Sequence, residues 1–330
     1  MKNIITKNPI ISYLIICFLI TYFFWFLPVL INLPKDVTFA YSLIGTCGPL
    51  LAGYFITLIR SNQKITISSK TIFLIAFLGT AITLGLRIYY TGKGLPDANG
   101  KIPTISEITP IGCLLFFNLC LIIGINFSNS TNQKLKENYI KTALFDKTKI
   151  KWYFFALLIF PIINITSYWI AKIIGTNTTD YFVKTDPKWF IGLFSTYFFF
   201  GGNEEYGWRG FFQKEIQKKY CPLVVVIIMT VVWSFWHFPL YFNGFYSTGG
   251  IKDLLPRFVF TLPISIIFTW LYNKSQYALL STMILHAMLN NTDRTLGSSE
   301  NIAILLMSFF CVYCIISDKM WKRNPYNPPI

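Results

Sequence analysis

The sequence predicts an all-α fold, a polytopic transmembrane helical bundle of about 8–10 spans. Charged residues make up only 13% of the 330, against about a quarter in soluble domains, while 54% are hydrophobic. Apolar runs of roughly twenty residues recur along the chain, each long enough to cross a hydrocarbon core of about 30 Å. No long polar linker divides these runs. A single bundle is therefore expected, with 1–150 as an N-terminal transmembrane region and 151–330 as a transmembrane core that carries the chemistry.

In chain order the spans read as 10–32, 38–59, 71–90, 110–127, 152–175, 189–212, 222–243, 256–272, 276–291 and 301–317. The first is longer than a signal peptide's apolar region and lacks a small-residue cleavage site, so it reads as an uncleaved anchor. The loop from Tyr90 to Pro110 contains Gly and Pro, and the one from Ser128 to Lys151 is rich in lysine. Pro239 is expected to interrupt the 222–243 span, because proline has no N–H for the helix ladder. Most of the 29 Lys and Arg fall in alternate loops, which places both termini in the cytoplasm by the positive-inside rule. That distribution assigns the net charge of +15 to topology and membrane lipid headgroups, with no nucleic-acid partner. The chain is read as an integral, multi-pass protein, and its Ile, Lys and Asn usage points to a bacterial cell membrane. Of the seven cysteines, Cys311 and Cys314 form a C-x-x-C inside an apolar span with no second pair nearby, which reads as buried thiols.

The chemistry concentrates around Gly202-Asn203-Glu204-Glu205-Tyr206-Gly207-Trp208-Arg209-Gly210, which follows an uncharged run beginning at Trp189. Ionisable groups at bilayer depth are costly, and they persist where they face a polar cavity and serve a function. Glu205 and Arg209 are four residues apart with the acid first, so they share a helical face and neutralise each other. Glu204 lies about 100° round the helix and is left for chemistry. The only two histidines also sit in apolar spans. Trp233 shares a face with His237, and His286 shares one with Asn290. A lone membrane histidine can be just an interhelical donor, and an acid–arginine pair just a clasp. The full set, with each member several residues inside its span, is read as a converging site.

These residues resemble the CPBP family, the CAAX-protease and bacteriocin-processing intramembrane proteases also called Abi proteins. E-E-x-x-x-R matches Glu204-Glu205…Arg209, aromatic-x-x-x-H matches Trp233…His237, and H-x-x-x-N matches His286…Asn290. The surrounding EEYGWRGFFQ and WSFWHFPL, and Gly48-Pro49 in the second span, match as well. Relative to shorter members, 71–127 looks like an added helix pair. The resemblance implies an endopeptidase acting on a membrane-associated protein or peptide, in CAAX processing, bacteriocin maturation or self-immunity. It assigns Glu204 as general base with His237 polarising the water, and His286 and Asn290 as oxyanion donors, with Glu205, Arg209 and Trp233 in support. The family has been described both as metal-free and as metallo-enzymes. No cofactor is the favoured reading; for zinc, the ligands would be Glu204, His237 and His286.

Two other classes compete. A non-catalytic membrane scaffold or immunity factor has no need for the intact Glu204, His237, His286 and Asn290. An ion-coupled transporter is favoured by inverted repeats or paired broken helices, and the sequence shows neither.

Overall fold

The computed structural model describes residues 2–32, 38, 41–42, 44–61, 141–178, 201–243, 245–246, 252, 254–292 and 298–323. The spans expected at 71–90 and 110–127, the proposed added pair they form, and 189–200 of the sixth span lie outside these residues. All regular structure among the described residues is helical, as the sequence predicts. Among the described residues, four helical segments are long and apolar enough to cross a membrane: Pro9–Leu30, Lys147–Ile174, Leu254–Lys274 and Glu300–Ser317. The chain divides into two compact units, Met1–Ile140 with Pro239–Gly250, and Lys141–Phe238 with Ile251–Ile330.

In the first unit, α1 (Lys2–Lys7) leads into α2 (Pro9–Leu30), and both pack on α3 (Gly48–Ser61). Pro9 occupies the first turn of α2, where its missing N–H is no loss. One stripe of α2, Tyr13, Cys17, Thr21 and Trp25, is buried. Its outward stripe, Ile11, Ile15, Leu19 and Phe23, is 54% to 67% exposed, an apolar face suited to lipid. Thr21 Oγ1 donates to the Gly45 carbonyl at 2.8 Å and Trp25 Nε1 to the Ser42 carbonyl at 2.8 Å, satisfying backbone that precedes α3. The span expected as one helix over 38–59 is divided by a turn at Thr46 and Cys47. Pro49 then sits in the first turn of α3, the position a helix tolerates best.

In the second unit α4 (Ile150–Ile174) packs against α7 (Leu279–Thr292) and α8 (Glu300–Ser317). Helix α6 (Leu254–Lys274) packs against α5 (Pro222–Trp236), α7 and α8. Ahead of α4, a 3₁₀ turn at Lys147–Lys149 is capped by Asp146, which accepts from the Thr148 N–H at 3.0 Å and its hydroxyl at 2.8 Å. Those two bonds hold the Asp146 carboxyl below its usual range. At its far end α4 stops at Gly175, whose φ of 73° is the left-handed conformation that closes a helix.

Two expected spans take a different form. The 189–212 span is, from Gly202 onward, a broken helix: a 3₁₀ turn (Gly202–Glu204), one α turn (Glu205–Gly207), a π segment (Trp208–Gln213) and a last α turn (Lys214–Gln217). The span expected over 222–243 ends as a helix at Trp236, and Phe238–Tyr241 form a 3₁₀ turn. Pro239 is the reason, since it removes an N–H and disfavours helical geometry at Phe238. Residues after Pro239 belong to the first unit, where the Phe242 ring lies 6.1 Å from Phe26 and Asn243 Nδ2 donates to the Trp25 carbonyl at 3.4 Å.

Candidate active site

The break at Gly201 sets the position of both glutamates. Gly201 has a φ of 132°, a conformation that side-chain-bearing residues rarely adopt. It also passes close under α7: a Cβ there would lie 2.6 Å from His286 Cδ2 and 2.8 Å from Asn290 Nδ2. Glycine thus satisfies both the turn and the approach of this backbone to His286 and Asn290. Glu204 and Glu205 follow within one turn, so they occupy the start of a helix. How far inside the expected 189–212 span they lie depends on 189–200, outside the described residues. His237 is the residue that terminates α5, which corrects its expected place inside the 222–243 span.

Glu205 is the centre of a fully buried charge cluster. Arg209 Nη1 donates to Glu205 Oε1 at 2.9 Å, with both side chains at 0% exposure. His286 Nδ1 reaches the same oxygen at 2.7 Å. The Arg209 guanidinium lies 4.4 Å from the Phe268 ring centroid and 5.0 Å from that of Trp233, so aromatic faces complete its surroundings. The expected Glu205–Arg209 pair is present, and the structure adds His286 to it.

Glu204 is buried, and its Oε2 accepts from Trp208 Nε1 at 3.2 Å. Trp208, four residues on, thus gives Glu204 a neutral hydrogen-bond donor in place of a charged partner. Trp208 meets Trp236 edge-on at 5.6 Å, and Trp236 in turn meets the His237 ring at 4.8 Å. The Trp233 ring lies 6.0 Å from His237 and 5.2 Å from His286, so it stands beside both histidines. Asn290 is half-buried on the same face of α7 as His286.

His237 has its ring nitrogens engaged on two sides. Nδ1 lies 2.7 Å from the Trp233 carbonyl, which accepts only, so Nδ1 carries the proton. Nε2 lies 2.8 Å from Arg257 Nη2. Arg257 belongs to the first turn of α6 and was missed by sequence reasoning. Twenty residues separate it from His237 with no fixed helical offset, so spacing gave no signal. Among the described residues no group of three His, Cys, Asp or Glu side chains is placed to hold a metal ion. In the zinc set considered from sequence, His237 has Nδ1 on the Trp233 carbonyl and Nε2 on a guanidinium, so it offers no lone pair to a metal, whereas His286 uses only Nδ1, on Glu205. The three-ligand set is therefore not assembled in this arrangement, for want of His237.

The comparisons with known proteins bear on this same stretch. The family described as Type II CAAX prenyl endopeptidase Rce1-like matches residues 186–292, whose described part takes in the broken helix from Gly202 and ends with α7. This segment is similar to the Rce1-like family. A relative, CAAX prenyl protease 2 of Methanococcus maripaludis, is 27% identical over 199 residues, covering 56% of this chain and 72% of its own length. With its apolar helices, the chain is an integral membrane protein and a CAAX-protease-like intramembrane endopeptidase.

Proposed function

We propose that the protein hydrolyses a peptide bond near the end of a membrane-associated protein or peptide, with a prenylated CAAX terminus as the first substrate class to test. The observation that carries this reading is the buried Glu204 carboxylate placed one residue from the Glu205–Arg209–His286 cluster. In this reading Glu204 takes a proton from water, and the resulting hydroxide adds to the scissile carbonyl. That proton then passes to the departing amine as the C–N bond breaks. Trp208 aims the carboxylate through its indole N–H.

The oxyanion falls to His286 and Asn290. Nδ1 of His286 is committed to Glu205, so only Nε2 can reach substrate. It donates when the ring carries both protons, the form whose charge Glu205 balances. Arg209 holds Glu205 in place, and Trp233 walls the space beside the two histidines. His237, with both ring nitrogens engaged, contributes its fixed ring as a wall of the site. The reaction drawn this way uses no metal, which the guanidinium at His237 Nε2 supports. We place the protein in a bacterial cell membrane with both termini cytoplasmic, and peptide maturation or self-immunity as its setting.

The test uses purified protein in lipid nanodiscs, a prenylated CAAX peptide, its unprenylated counterpart and an unrelated membrane peptide. Mass spectrometry reads the cut. Cleavage confined to the prenylated peptide supports the assignment; cleavage of the unrelated peptide alone would move the substrate class elsewhere, and no cleavage by folded protein would count against peptidase activity on these ends.

A further inference from the structure

We propose that Arg257 is a positioning residue of the active site, acting through His237. The inference begins with hydrogen-bond direction. A guanidinium has only donors and stays protonated at any working pH. At 2.8 Å, Arg257 Nη2 must therefore donate to His237 Nε2, which must present its lone pair. On the other side of the ring, the Trp233 carbonyl accepts from Nδ1 at 2.7 Å. Together the two contacts select one tautomer and fix the plane of the imidazole.

Three features make this more than a chance contact. His237 has left the regular helix, so α5 beyond it does not hold the ring. Helix α5 holds the ring through the Trp233 carbonyl at Nδ1, and the contact from α6, a helix packed along α5, restrains the Nε2 side. Arg257 also stands in the first turn of α6, the end at which the helix dipole disfavours a cation, so local helix stability does not account for it. Finally, the pairing defines what His237 can do. With Nε2 accepting from an arginine, His237 is not the group that takes the proton from water, and Glu204 is the remaining carboxylate for that step. The role of Arg257 in turnover rests on the peptidase reading above, whereas its hold on His237 does not.

The chain has only two histidines, which makes the test direct. Protein labelled with ¹⁵N-histidine gives two imidazoles, and a His286→Gln sample assigns them. The wild type is expected to show His237 protonated at Nδ1 alone, with Nε2 accepting a hydrogen bond. In Arg257→Leu the Nε2 resonance moves towards that of an unbonded ring nitrogen while the His286 signals stay in place, which also checks the fold. Arg257→Lys, which retains a donor, restores it. Turnover of the prenylated peptide falls about 10- to 100-fold in the leucine variant, in kcat with KM held, the scale typical for loss of a group that orients a functional histidine. A wild-type His237 protonated at Nε2 would overturn the contact. A displaced Nε2 signal with unchanged kcat would overturn the positioning role. If no substrate is cut, the nitrogen signals still decide the contact, and the peptidase reading fails separately.

Discussion

Replacing Glu205 by alanine is expected to destabilise the protein far more than its single carboxylate implies. The Arg209 guanidinium stays at 0% exposure and loses its partner 2.9 Å away, while His286 loses the same acceptor. At an effective dielectric of about 20, two unit charges at that separation attract by roughly 6 kcal/mol. Desolvation offsets part of this in the pair but not in the orphaned cation, so the expected cost of removing one partner is about 3–5 kcal/mol. Glu205→Ala, Arg209→Ala and the double variant Glu205→Leu/Arg209→Met can be compared by denaturant titration in mild detergent. The double variant should lose less stability than the two single variants combined, because it removes both members of the Glu205–Arg209 pair together. Single variants that each cost under about 1 kcal/mol, with an additive double, would refute the reasoning.

Gly201→Ala should leave the helices intact but reduce turnover by about 100-fold, because its Cβ would collide with His286 and Asn290 and displace them; circular dichroism and peptide cleavage on one sample check this. Asp146→Ala should lower the thermal midpoint at neutral pH by removing the cap ahead of α4. The Asp146 carboxyl is held below its ordinary value of 3.8, so the contribution is present above that value and lost as pH falls through the folded one; midpoints of variant and wild type should therefore converge in acid.

The parts of the site that were legible are those fixed within one helix. Glu205 with Arg209, four residues apart, could be paired from spacing, and the helix break at Pro239 from proline's missing N–H. Trp208 was equally accessible at four residues from Glu204, but it reads as apolar bulk unless its indole N–H is counted as a donor. The contact of Glu205 with His286 spans 81 residues and depends on how α7 packs against the broken helix. No periodicity encodes that. The same holds for Arg257, whose distance from His237 is set by the packing of α5 against α6. Glu204 and His237 were both expected several residues inside their spans, and His237 turned out to lie where regular helix ends. Gly201 was part of a glycine pair in the sequence, yet only its φ and its nearness to α7 reveal why a side chain is excluded.

The central claim is that Glu204 activates the water. Glu204→Gln keeps the shape and an acceptor for Trp208 while removing the base, so it isolates that step. Purified wild type and variant, matched for thermal stability, would be given the same prenylated CAAX peptide in nanodiscs, and single-turnover cleavage followed by mass spectrometry. Cleavage by wild type that is abolished in Glu204→Gln is the expected result. A folded Glu204→Gln variant that cleaves at the wild-type rate would contradict the account.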